Sequence, residues 1–150
     1  MKPKRSEALI TDIRDASRQM VRELGMLGAA HQSLGLTNSE VHALLELEKD
    51  GQLGVVELSA RLRLEKSSVS RLVDGLISEK LVASNLGDKD RRKKFISLTS
   101  LGKRRLAEVH EEANVRVGRA LETLTSEERS TIARGLELYA EALKNSRGRE

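Results

Sequence analysis

Between Val56 and Thr99 the chain changes its apolar period in quick succession, and few folds accommodate that order of elements. The run VELSARLRLEKSSVSRLVDGLISEKLVASNLGDKDRRKKFISLT predicts a helix over about Val56–Arg63 and a second over about Lys66–Glu79. Two strand-like runs follow, Leu81–Leu86 and Lys93–Leu98, the second alternating through Lys94, Phe95, Ile96, Ser97 and Leu98. Between them Gly87-Asp88-Lys89-Asp90-Arg91-Arg92 supplies turn formers and charge. The rest of the chain must then hold these two short helices and their hairpin in place.

Placing the second helix at 100° per residue puts Val69, Leu72, Val73 and Leu76 on one side, and Ser67, Arg71, Asp74 and Ser78 on the other. Ser68, Ser70 and Gly75 flank the outward face. Small hydroxyls beside one arginine let a helix sit deep in a DNA groove, where arginine grips guanine or phosphate and serine meets base edges. Taken alone, the same pattern also describes an ordinary amphipathic helix with a solvated polar face. Arginine at the hairpin tip suits the narrow, electronegative minor groove, with Asp90 placed to hold a neighbouring arginine. Taken alone, the hairpin reads equally as a solvated turn. Together they predict a mainly α fold: a winged helix-turn-helix with a small β-hairpin wing, whose partner is double-stranded DNA.

Charge distribution points the same way. The 150-residue chain carries a net charge of +4, yet Arg61–Lys94 alone holds ten basic and five acidic residues, leaving the remainder slightly negative. A basic segment on a nearly neutral body is the footprint of phosphate contact. The aromatics are only Phe95 and Tyr139, so the core must be aliphatic. With no cysteine, disulfides, thiolate metal sites and thiol redox sensing are excluded. His31, His42 and His110 lack the two-histidine spacing of a helical zinc site, and no phosphate-cradling glycine loop appears. No catalytic residue, metal or cofactor is therefore expected, and the chain is not read as an enzyme. No apolar run reaches membrane-spanning length, and the opening MKPKRSEAL lacks the apolar centre of a secretion signal. The expectation is a cytoplasmic, nucleoid-associated protein with no membrane partner.

Long helices are predicted on both flanks. Leu9, Ile13, Ala16, Met20, Leu24 and Leu27 make one stripe, predicting a helix from about Ser6 to Leu34 in which Gly25 and Gly28 allow close packing. Thr37-Asn38-Ser39-Glu40 fits a capping box opening a helix to about Lys49, closed by Asp50-Gly51. Gly54-Val55-Val56 reads as a third short strand of the wing sheet. After Ser100 come a helix to about Thr123, a second capping box at Thr125-Ser126-Glu127-Glu128, and a last helix with Ile132, Leu136, Tyr139 and Leu143 at four-three-four spacing. Such stripes exceed what a small winged domain can cover. The expected organisation is one domain over 1–150, with a DNA-binding core at about 37–99 and dimerisation helices at about 6–34 and 100–146. A homodimer shares the flanking helices as a platform, and the alternative is an intramolecular three-helix bundle.

Three stretches carry a family resemblance: Leu36-Thr37, KSSVSRLVDGLISEKLV over Lys66–Val82, and DRRKKFISLTSLG over Asp90–Gly102. The last fits an Asp-x-Arg, alternating apolar, Leu-Thr-x-x-Gly pattern through Asp90, Arg92, Ile96, Leu98, Thr99 and Gly102. On these motifs nearly the whole chain resembles the MarR family of bacterial transcriptional regulators. The resemblance implies that Lys66, Ser67, Ser68, Ser70 and Arg71 lie on the recognition helix. It implies that Lys89, Asp90, Arg91 and Arg92 form the wing tip, with Arg92 braced by Asp90 as the minor-groove arginine and Arg91 its close competitor. It further implies a homodimeric repressor of a near-palindromic operator, released in many relatives by a small-molecule effector. Lys80 stands where the family usually has glycine, which implies a lysine in left-handed conformation, and Ser84 replaces a frequent basic residue. VHALLELE, KSSVSR and GLELYAEAL are also similar to regulators fused to an acetyltransferase. Two alternatives thus stand beside the repressor: a winged-helix protein interaction module, and the regulatory part of such a fusion.

Overall fold

The computed structural model describes residues 3–25, 32–87 and 93–147. In chain order the elements are α1 (Pro3–Glu23), a 3-10 turn (Gln32–Leu34), α2 (Asn38–Asp50), β1 (Gln52–Leu53), α3 (Val55–Leu62), α4 (Lys66–Ser78), β2 (Val82–Leu86), β3 (Lys94–Leu98), α5 (Ser100–Leu121) and α6 (Ser126–Ser146). The chain forms two compact units, Met1–His110 and Glu111–Glu150.

In the first unit α2, α3 and α4 enclose an aliphatic core with the sheet. Leu44, Leu47, Leu58, Val69, Leu76, Ile96 and Leu106 are each under 2% exposed. Each such side chain contributes roughly 1.5–3 kcal/mol of burial free energy. The sheet is antiparallel with strand order β1-β3-β2, so β3 is central. Ile96 faces Leu53 on one side and Ser84 on the other, and its burial sets the register of the whole sheet.

Local chemistry explains the helix starts. Thr37 opens α2 through a reciprocal box: the Glu40 amide donates to Thr37 Oγ1 at 3.3 Å, and the Thr37 amide donates to Glu40 Oε2 at 2.7 Å. Gly51, at φ 81°, ends α2 in the left-handed region that glycine tolerates.

Two predicted elements fall differently. The first helix ends at Glu23 rather than Leu34, because Gly25 adopts φ 69° and its amide turns back to the Arg22 carbonyl. Gly25 is thus a helix stop, and among the described residues nothing lies close enough to make it a packing glycine; Gly28 lies outside the described residues. The third strand is Gln52–Leu53, not Gly54–Val56. The Gly54 amide donates to Glu57 Oε2 at 2.9 Å, which makes Gly54 the cap of α3 and draws Val55 and Val56 into that helix.

The flanking stripes are present but uncovered. Leu9, Ile13 and Met20 on α1, and Leu24 just past its end, are 36–60% exposed. In the second unit, the Thr125–Glu128 box opens α6 as predicted. That helix has no buried residue, and Ile132, Leu136, Tyr139 and Leu143 are all at least 36% exposed.

Candidate nucleic-acid interface

The helix-turn-helix is fastened from behind. Arg61 on α3 pairs with Glu46, at 3.1 Å, and with Asp50, both on α2. One of the ten cations counted in the basic segment is therefore committed inside the unit. The α3 helix ends at Arg63, in the left-handed region at φ 57°, and the Leu64 amide returns to the Ser59 carbonyl at 3.2 Å. Two residues later α4 begins.

Val69, Val73 and Leu76 anchor α4 in the core, with Leu72 half-buried, matching the predicted inner face. That burial turns Lys66, Ser67, Ser68, Ser70 and Arg71 outward, and all five are exposed. Arg71 Nε donates to the Ser67 carbonyl at 3.3 Å, which lays the arginine along its own helix. Unlike α2 and α6, α4 starts without a side-chain cap, at Glu65. Its first-turn amides therefore have no side-chain acceptor of their own, and an anion is the natural partner for such groups. At 13 residues α4 is about 20 Å long, a length suited to lying along a major groove.

At its far end α4 closes as the resemblance implied. Lys80 adopts φ 62°, its amide donating to the Ile77 carbonyl and the Leu81 amide to the Leu76 carbonyl, both at 2.9 Å. Thr99, at the end of β3, ties this turn to α5. Its hydroxyl lies 2.6 Å from the Lys80 carbonyl oxygen and 3.1 Å from that of Leu81, and accepts from the Gly102 amide at 3.0 Å. The Leu-Thr-x-x-Gly signature is the sequence signal for this junction, whose role was not evident from the residues alone.

The wing hairpin extends from that junction. Its strands pair from Val82↔Leu98 to Leu86↔Lys94, and the Gly87 amide donates to the Lys93 carbonyl at 2.8 Å at the base of the tip. Lys89, Asp90, Arg91 and Arg92 lie outside the described residues, and with them the expected Asp90–Arg92 brace.

Little else competes as a site. His110 Nε2 lies 2.9 Å from Glu48 Oε2, joining α5 to α2. Among the described residues no group of three or more His, Cys, Asp or Glu side chains could hold a metal ion, and no helix is long and apolar enough to cross a membrane. The Thr125 amide, and then its hydroxyl, hold the Glu128 carboxyl below its ordinary pKa, an effect of the capping box on α6.

Comparison with known proteins agrees with this geometry. The sequence profile of the MarR family matches residues 34–93. The HTH-type transcriptional repressor MdtR of Bacillus subtilis (strain 168) is 30% identical over 127 residues, covering 83% of this chain and 81% of that protein. A MarR family protein from Bacillus stearothermophilus superposes with a TM-score of 0.80 at 25% identity, over 92% of this chain and 97% of that one. The YusO protein of Bacillus subtilis superposes at 0.69 with 28% identity, over 91% and 97%. The exposed helix α4, its hairpin wing and these relatives have one reading: the chain belongs to the MarR family of transcriptional regulators.

Proposed function

We propose that this regulator is a homodimeric repressor that binds a near-palindromic operator through α4 and the wing, and that it acts by binding alone, without catalysis. The observation that carries this reading is the outward row of Lys66, Ser67, Ser68, Ser70 and Arg71 on a helix whose other face is locked in the core. Serines permit close approach to the groove floor, and Arg71 supplies the base- or phosphate-gripping cation. At the wing tip Arg92, braced by Asp90, is the proposed minor-groove arginine, with Arg91 its close competitor and Lys89 beside them. The region 37–99 is the reader, and the helices on either side serve dimerisation.

A second copy of the chain is the natural cover for the apolar stripes of α1 and α6, since each exposes large aliphatic side chains at helical spacing. Two-fold symmetry then presents two recognition helices to half-sites about one helical turn, roughly 34 Å, apart. The family reading adds a small-molecule effector that favours one spacing of the two readers over the other. A regulator that acts on operator DNA would work in the cytoplasm, at the nucleoid, and that is the location we propose.

The test is a gel shift on the DNA flanking the coding sequence across a salt series, with sedimentation in parallel. The expected result is a dimer whose log affinity falls linearly with log salt. Arg92→Ala weakens binding strongly, and Arg71→Ala weakens it and alters site preference. A strict monomer at micromolar concentration, or two substitutions without effect on affinity, would sink this assignment.

A further inference from the structure

Two described residues other than glycine hold a left-handed backbone, Arg63 at φ 57° and Lys80 at φ 62°. Elsewhere among the described residues a positive φ falls to glycine, at Gly25, Gly35 and Gly51. A β-carbon in that region crowds the following carbonyl, so an arginine or lysine there costs stability that glycine would not. Strain of this kind persists where neighbouring structure enforces it, and it tends to mark functional positions.

Both positions are enforced. The Leu64 amide donates to the Ser59 carbonyl behind Arg63, the Leu81 amide to the Leu76 carbonyl behind Lys80, and Thr99 Oγ1 clasps the Lys80 carbonyl at 2.6 Å. Each lies just beyond one of the two helices of the helix-turn-helix: Arg63 is the first residue past α3, ahead of α4, and Lys80 is the second residue past α4, after its cap Glu79. Both side chains are exposed, and neither has an ion-pair or hydrogen-bond partner among the described residues, whereas nearby Arg61 is held by Glu46 and Asp50.

We propose that Arg63 and Lys80 are phosphate-contact residues, one at each end of the recognition helix, and that the chain keeps cations at two glycine-type turns for their charge. The inference rests on the DNA-binding reading above. A helix about 20 Å long in a groove about 12 Å wide leaves its two ends nearest the phosphates that border the groove. The competing account is that each cation merely complements the negative end of its helix. That account is weak for Arg63, because α3 already carries Arg61 in its last turn. At the end of α2 the chain does the opposite, placing Lys49 inside the helix and glycine at the left-handed position.

The experiment measures fluorescence anisotropy of a labelled mixed-sequence duplex about three helical turns long, roughly 30 base pairs, against full-length protein over a salt series. Arg63→Gly and Lys80→Gly are each expected to raise the melting temperature while weakening binding roughly 3- to 10-fold at low salt. Each should lower the slope of log affinity against log salt by about 0.9, and the double variant by about twice that. Arg63→Lys should retain the wild-type slope, and Lys144→Ala, which removes one charge from α6, should leave it unchanged. Glycine variants that bind with wild-type slope and affinity would overturn the inference. So would a Lys144→Ala variant that loses as much, since the effect would then be net charge alone. If the wild-type chain showed no salt-dependent binding to the duplex, the DNA-binding reading itself would fail, and this inference with it.

Discussion

A β-carbon added to Gly102 would stand 2.0 Å from the carbonyl oxygen of Leu81. The first turn of α5 therefore rests directly on the backbone that follows the recognition helix, and Thr99 hydrogen-bonds to both sides of that contact. The reader and the helix that leaves it are joined by backbone atoms, which cannot repack as side chains do.

This contact decides the sign of Gly102→Ala. In a free helix the change would stabilise by up to about 1 kcal/mol. Here the methyl group meets a carbonyl, and overpacking of this kind costs about 1–3 kcal/mol or more. The expected outcome is a net loss of about 2 kcal/mol in urea unfolding. A midpoint at or above wild type would show that the junction yields easily.

Thr99→Val preserves shape and removes the hydroxyl that serves the Lys80 and Leu81 carbonyls and the Gly102 amide. Loss of a helix cap and of these bonds is expected to cost about 1–2 kcal/mol. Thr99→Ser should recover most of it, and equal stability of the two variants would assign the loss to packing instead.

Arg61 differs from its basic neighbours because Glu46 and Asp50 already hold it. All three side chains are about one-third exposed, so solvent screening limits the pair to about 1 kcal/mol. A double-mutant cycle of Arg61→Ala with Asp50→Ala should show coupling of that order. The salt slope of DNA binding by Arg61→Ala should match wild type, and a slope reduced by a full unit would mean that Arg61 contacts phosphate.

Glu128 ties stability to acid. Its folded carboxyl lies below the ordinary value of 4.5, chiefly through the Thr125 amide. A depressed carboxyl contributes stability that is complete above its unfolded value and is lost as pH falls through the folded one. Circular dichroism of wild type and Glu128→Gln should therefore differ at neutral pH and converge as pH falls below 4.5 through the lowered folded value. A gap that persists at low pH would exclude the ionised box as its source.

The exposed stripe on α6 makes a prediction about assembly. Leu136→Glu places a charge where Ile132, Tyr139 and Leu143 also face out, and desolvating it in a shared interface is costly. Sedimentation should show the dimer weakened at least 10-fold with helix content retained. An unchanged dimer would move the interface off this face.

Much of this protein was determined by local sequence. Thr37 with Glu40 and Thr125 with Glu128 start their helices from within four residues, and the spacing of Val69, Val73 and Leu76 turns the serines and Arg71 of α4 outward. These are short-range effects of hydrogen bonding and period, and they appear in the structure where the sequence predicted them. Where two local signals competed, the sequence alone misled. Gly54-Val55-Val56 favours a strand by composition, yet the bond from the Gly54 amide to the Glu57 carboxylate makes it a helix start, and Gly25 stops a helix whose apolar stripe continued past it.

Tertiary structure decided what depends on residues distant in the chain. That Arg61 is spent on α2, that Thr99 clasps the Lys80 turn, and that Gly102 must lack a side chain because Leu81 lies against it all involve partners brought together only by folding of the core. Period and composition report which face of an element is apolar. They carry no information about which cation is already paired or which backbone stands within a bond length of clashing, because those follow from three-dimensional packing of the whole unit.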